Sequence, residues 1–316
     1  MGTTLSLISK QTTAIIPKSQ CHVGTIRRVA LTKSFQTKLM SNIHLNKRLI
    51  YVTGLPRAGS TFLCQLLGHH PDIYSSGHSS PLCSSLNGLR HQLSDNEFLL
   101  SQLDIDFEKV YQRLLNAFRG FINGWFAESN SVWVVDKNRG WLNQLEMVYH
   151  LDPDCRMLVC VRELGQIYGS VEAQHQKTLL LDFPDHLANL SRYARADKLF
   201  GNEGVIGAPL KSIENLQDID NRLQSRLYYV VFEHLMAEPV LVMREIYQWL
   251  NLPEAPFDPQ HLEVKPHESD SYYRFKYQHK TYPEIQPPTR HSIPPRIEAE
   301  LKKNFAWFYQ TFYPGI

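Results

Sequence analysis

The sequence predicts an α/β fold: an open, mainly parallel sheet with helices on both faces. Three observations predict it. Leu49–Thr53 is a short apolar, β-branched run that stops at Gly54, and an apolar helical pattern begins near Thr61 after a polar loop. Cys155–Val161 is a second apolar run rich in Val, again followed by a helical pattern. Elsewhere strand-like and helix-like stretches alternate, the order that builds parallel sheets covered on both sides.

The elements follow in order. The first strand is 49–53 and the first helix about 60–69, ended by His70-Pro71 because proline cannot continue a helix. Residues 72–95, rich in Ser, Gly and His, read as a loop, and 96–127 as a helical zone. Ser131–Val135 reads as a strand ending at Asp136-Lys137, with a helix at about 140–151 behind it. Strand 155–161 leads into a helix at about 164–177, and 178–225 is mainly helical with a loop near 201–210. Strand 227–232 and helix 239–250 come next. The stretch 253–295 is dense in Pro, Tyr and His and reads as a long structured loop or lid, before an amphipathic helix at about 294–311. In such a sheet, ligands sit at the carboxyl ends of the strands. Arg57, Lys137 and Arg162 fall just past three such ends and are expected to converge.

The first strand–loop–helix unit has the chemistry of a P-loop-like phosphate loop. Glycines let the backbone curl so that N–H groups converge on an anion, and the helix N-terminus adds partial positive charge. The spacing Gly54-x4-Gly59 fits, but Ser60 stands where the ATP-binding motif needs Lys. The cation comes earlier, at Arg57. A tight strand-to-helix turn without a ligand would also use these glycines, so the loop gains force from what lies downstream. There, Arg162 ends the second strand and Ser170 follows eight residues later on a helix. A guanidinium offers a planar, permanently charged fork for phosphate, and a hydroxyl adds a donor.

Pro56-Arg57-Ala58-Gly59-Ser60-Thr61 resembles the 5'-phosphosulfate loop of sulfotransferases that use 3'-phosphoadenosine 5'-phosphosulfate (PAPS), in which the pattern is Pro-Arg/Lys-Ser-Gly-Thr-Thr. Arg162 and Ser170 match, in type and spacing, the pair with which that family holds the 3'-phosphate. Glu163 replaces the usual Asp or Asn after the arginine. Leu227–Leu235 is similar to the family's strand ending in Arg-Tyr-Glu-Asp-Leu: Glu233 and Leu235 match, whereas Val231, Phe232 and His234 depart. The resemblance covers roughly Leu49 to Pro253 and is nearest the bacterial and protein-tyrosine enzymes. It implies binding of PAPS, and of its product adenosine 3',5'-bisphosphate, by residues 56–61 with Arg162 and Ser170.

It also implies catalytic roles. Arg57 would meet the 5'-phosphate and the leaving oxygen, and Lys137 the departing bridging oxygen or the sulfuryl group. Read alone, Lys137 is equally a solvated lysine paired with Asp136. His78 sits where the protein-tyrosine enzymes place a base glutamate, and its ordinary pKa near 6.5 suits general-base work. A substrate-binding loop histidine is the alternative; His69, His70 and Glu163 are weaker candidates. The histidine in place of glutamate points away from a peptide acceptor and toward a small molecule with a hydroxyl or nitrogen, as in natural-product sulfation. A P-loop nucleotide kinase and a non-catalytic nucleotide-binding relative are the competing readings.

The rest of the chain sets bounds. Its 316 residues suffice for one large domain, and a net charge of +2 argues against a general nucleic-acid partner. No run of 18 apolar residues appears, so no membrane span is expected. Cysteines 21, 64, 83, 155 and 160 show no metal spacing, and no metal ligand set is expected; the odd count favours reduced thiols and a cytoplasmic site. Residues 1–48 hold eight Lys or Arg and no acidic residue. Residues 1–45 therefore read as a basic leader, either disordered or a transit-like segment for organellar import, with Met40 an alternative start. The sulfotransferase-like domain is 46–316. A homodimer is an open possibility, since relatives often pair. The mixed basic and aromatic stretch 265–282 reads as a solvated loop or a cover over a ligand.

Overall fold

A computed structural model describes residues 42–177, 187, 189–265, 268–269 and 278–315. Most of the basic leader, and the basic positions His267, Arg274 and Lys276, lie outside the described residues. The chain enters the sheet at β1 (Arg48–Gly54), continues into helix α1 (Ser60–Leu67), and then forms the short edge strand β2 (Ile73–Tyr74). Helices α2 (Leu82–Ser94), α3 (Glu97–Ile105) and α4 (Phe107–Trp125) lead to β3 (Trp133–Lys137). A 3₁₀ turn at Arg139–Asn143 and α5 (Leu145–Leu151) carry the chain to β4 (Arg156–Val161) and α6 (Leu164–Lys177). Helices α7 (Arg192–Phe200), α8 (Gly207–Asn215) and α9 (Asn221–Gln224) precede β5 (Leu227–Val231). Then come α10 (Phe232–Ala237), α11 (Pro239–Leu250), the two-residue strands β6 (Glu268–Ser269) and β7 (Gln278–His279), α12 (Pro295–Asn304) and α13 (Ala306–Phe312).

Among the described residues, β1 to β5 form one parallel sheet in the order β2-β3-β1-β4-β5. Its central strands are buried at consecutive positions, so both faces are covered. On one side Tyr51 meets Trp141 of the 3₁₀ turn edge-on at 4.8 Å. On the other, helices α1 and α11 meet through His70, at the end of α1, and Tyr247 of α11, 5.0 Å apart. From β1 the chain moves out to β2 and β3, then crosses back to β4 on the far side. The carboxyl ends of β1 and β4 therefore flank the switch point, where an open sheet leaves a crevice.

Three expectations are corrected. Residues 72–95 are not a loop: they contain β2 and the 13-residue α2, whose buried Leu82, Cys83 and Leu86 pack inward while its remaining surface is polar. The strand expected at 131–135 is β3, two residues later. Val132 is exposed, and Asp136 and Lys137 belong to the strand, with Val52 opposite Lys137 in register. The last helix is two, α12 and α13, separated at Phe305.

The stretch 253–295 is held down at named points. Leu262 N–H donates to Pro283 O at 2.6 Å and Ile285 N–H to Pro259 O at 3.0 Å. Thr281 Oγ1 accepts from Lys265 N–H and donates to Lys265 O, both at 2.9 Å. The buried Gln65 of α1 donates to Glu263 O at 2.9 Å and Tyr282 O at 2.8 Å. This pair of segments forms a strap fixed to α1.

Candidate active site

The candidate phosphate loop, residues 56–61, runs from just past β1 into the first turn of α1. Gly54 turns out of β1 at φ 124°, and a Cβ there would lie 2.1 Å from Cys160 O, so only glycine lets β1 and β4 lie this close. Leu55 N–H donates to the same oxygen at 2.9 Å. Pro56 and Ala58 are buried. Gly59, at φ 83°, stands before the first turn of α1, and a Cβ would meet the Phe232 ring at 2.5 Å. Ser60 and Thr61 open the helix, whose first-turn N–H groups have no acceptor within the helix itself.

Arg57 adopts the left-handed conformation (φ 61°), unusual for a non-glycine residue. Contacts from its side chain and its backbone tie it to Ser170 and Arg162. Its Nε donates to Ser170 Oγ at 3.0 Å, and its backbone oxygen accepts from Arg162 Nη1 at 3.1 Å. Residues 113 and 105 positions apart are thus joined into one cationic cluster. Arg162 and Ser170 are only 8% and 7% exposed. Burial lowers the Arg162 pKa below its usual range; Glu233 opposes the shift and Arg57 adds to it. The guanidinium stays charged at any working pH. It lies 4.5 Å over the Phe232 ring, and its buried Nε has no hydrogen-bond partner among the described residues. A buried donor left open in this way fits an anionic ligand.

Lys137 is buried, and its Nζ donates to Thr61 Oγ1 at 3.1 Å and to Gly77 O at 2.8 Å. It is neither solvated nor paired with Asp136. Asp136 instead points into the core, accepts from Trp141 Nε1 at 2.8 Å, and is pushed up to about 6, chiefly by burial. Lys137 therefore links the first turn of α1 to the segment that carries His78. His78 is half-buried, follows Gly77 directly, and donates its N–H to Ser76 Oγ at 3.3 Å.

The weaker base candidates are occupied. His70 is buried between Pro253 O (3.1 Å from Nε2) and Asp72 N–H (3.1 Å from Nδ1). His69 Nε2 accepts from Glu263 N–H at 3.2 Å. Glu163 accepts from Gly165 and Gln166 N–H at 3.0 and 2.7 Å, capping α6, and from Tyr309 OH at 2.7 Å. The longer side chain in place of Asp or Asn still performs the helix-capping task.

A cavity of about 240 Å³ opens beside the cluster. Arg57, Thr61 and Arg162 line its polar side, Phe232 its wall, and the strap at Thr281–Tyr282 its roof. Sequence reasoning missed the wall; for the roof it gave 253–295 as a structured loop or lid and 265–282 as either a solvated loop or a cover over a ligand, without its anchor. Phe232 stands only as a departure from a motif, and Gln65, which anchors the strap, carries no local signal.

A family model described as the sulfotransferase family matches residues 50–256. The chain belongs to the sulfotransferase family. Residues 257–316, with the strap and the last two helices, lie beyond the matched segment. No curated protein sequence matches the chain. Similar solved structures include a sulfotransferase domain from the curacin biosynthetic pathway (15% identity, 84% of this chain and 99% of that one, TM-score 0.44). Another is a sulfotransferase from Alicyclobacillus acidocaldarius (15% identity, 87% and 98%, TM-score 0.46). A third is from Mycobacterium avium (17% identity, 85% and 77%, TM-score 0.41).

Proposed function

We propose that this sulfotransferase takes its sulfuryl group from PAPS and passes it to a hydroxyl or nitrogen of a small-molecule acceptor. The observation that carries the donor assignment is the splice of two anion-binding stations, Arg57 on Ser170 and Arg162 on the Arg57 backbone. A donor with a 5'-phosphosulfate and a 3'-phosphate has one anionic group for each station. The loop 56–61 would hold the first, and Arg162 with Ser170 the second.

Bound there, PAPS supplies a sulfuryl group already activated by its mixed anhydride. The protein's work is then positioning and charge stabilisation, as in phosphoryl transfer. Arg57 and the α1 N-terminus face the 5' group. Lys137, fixed by Thr61 and Gly77, supplies a second cation where the bridging oxygen gains charge. His78, one residue past Gly77, takes the acceptor proton at a ring nitrogen and later releases it to solvent. The competing kinase reading has less support. Ser60 leaves the helix start without the usual lysine, and Asp136 faces Trp141 rather than the cavity.

Incubating the protein with PAPS and a panel of alcohols, phenols, amines and guanidines, and following release of adenosine 3',5'-bisphosphate, tests this reading. Acceptor-dependent release that is lost in Lys137→Ala supports it. Turnover only with ATP and Mg²⁺ would replace it with the kinase reading. Tight bisphosphate binding with no transfer to any acceptor would make the chain a non-catalytic relative.

A further inference from the structure

We propose that Tyr313, beyond the end of α13, is a positioning residue for Arg162 and acts through Glu233. This inference rests on the reading that Arg162 holds the 3'-phosphate of the donor. It concerns a segment outside the part of the chain that the family model matches.

Arg162 does not fix its own orientation. One edge is tied, Nη1 to Arg57 O at 3.1 Å. On the other edge Nε has no hydrogen bond among the described residues and faces Glu233 Oε1 at 4.0 Å, within ion-pair range but beyond hydrogen-bond length. Where the guanidinium rests thus depends on where the Glu233 carboxylate is held. Two donors hold it: Glu163 N–H on Oε1 at 3.3 Å, and Tyr313 OH on Oε2 at 2.6 Å. The second is short and charge-assisted, the stronger type. Tyr313 is buried among Phe308 and Tyr309, and burial together with Glu233 pushes its pKa well above the usual phenol range, so it donates throughout. From α13 itself Tyr309 reaches Glu163, the residue next to Arg162. The C-terminal segment therefore grips the carboxylates on both sides of this arginine.

Without the Tyr313 hydroxyl, Glu233 keeps one 3.3 Å bond and is able to swing onto Arg162 Nε. A direct ion pair would then compete with the nucleotide for the guanidinium. The loss should be selective, because only a ligand with a 3'-phosphate uses Arg162.

The test compares the affinities of wild type and Tyr313→Phe for adenosine 3',5'-bisphosphate and for adenosine 5'-monophosphate. The expected result is a loss of about tenfold for the bisphosphate, in line with one hydrogen bond to a charged group, with the monophosphate unchanged. In an Arg162→Ala background Tyr313→Phe should then have no further effect. Glu233→Gln removes the competing charge, so in that background Tyr313→Phe should also have no further effect on either nucleotide; a selective loss that persists there would overturn the proposal. Equal losses for both nucleotides would mean a merely structural tyrosine and would overturn the proposal, as would no change in either. If wild type itself fails to prefer the bisphosphate, the donor reading falls and this inference falls with it.

Discussion

His78 and Asp136 lead to different predictions. His78 follows the glycine whose carbonyl holds the Lys137 ammonium, and its proposed task is proton transfer beside that cation. His78→Ala should lower kcat by about 10²- to 10⁴-fold, the usual worth of a general base, while affinity for adenosine 3',5'-bisphosphate stays within twofold (roughly 0.4 kcal/mol). Near-normal turnover in that variant would remove the assignment. Asp136 gives a stability prediction. Its folded pKa is raised to about 6 by burial, above its value in an unfolded chain. The folded state therefore binds the proton more tightly. The associated stability is fully present below about pH 4 and is lost as pH rises through about 6. Asp136→Asn keeps an oxygen for Trp141 and removes the charge. It should flatten the fall in stability across that window, by on the order of 3 kcal/mol, in denaturation curves taken at each pH. An unchanged profile would contradict this. At this scale the sequence shows Arg57, Arg162 and Ser170 clearly, because each sits at a fixed distance from a strand end. It does not show the partners of Glu233 and Gln65, which are remote in the chain: Tyr313 lies 80 positions from Glu233, and Tyr282 lies 217 from Gln65.

Among the elements, the strap is anchored in part by one buried amide. Gln65 on α1 donates to a carbonyl in each of its two segments, beside the bond from Glu263 N–H to His69. Gln65→Leu would leave both oxygens unpaired, at a cost of about 1–3 kcal/mol each if they remain buried. Hydrogen exchange at 281–285 should speed up, and the cavity roof should loosen; unaltered exchange there would show that the strap is held elsewhere. Strands β1 and β4 are legible because continuous apolar runs mark strands buried on both faces, and β5, at the sheet edge and half-buried, by its run of Tyr and Val. β3 is misplaced by two residues because Asp136 and Lys137 read as a strand end. They are buried in the strand with bonds from Trp141 to Asp136 and from Lys137 to Thr61 and Gly77, partners that local sequence does not reveal. Helix α2 is missed because Ser84, Ser85, Asn87 and Gly88 give it a loop composition, while three buried residues suffice to seat it.

For the whole molecule, the sheet order puts the carboxyl ends of β1 and β4 side by side, and the cationic cluster forms there. Alternation of strands and helices announces the parallel sheet, but the order of its strands is a long-range property that local pattern does not contain. The account's central claim is that this cluster binds two anionic groups of one nucleotide. Among the described residues, no helix is long and apolar enough to cross a membrane. The most direct measurement is calorimetric titration of the full chain with adenosine 3',5'-bisphosphate, set against ATP with Mg²⁺, for wild type and Arg162→Ala. The account predicts preferential binding of the bisphosphate and a loss of about ten- to a hundredfold in the variant, as for a charge-assisted hydrogen bond. Preference for ATP with Mg²⁺, or an Arg162→Ala protein that binds the bisphosphate as well as wild type, would contradict it.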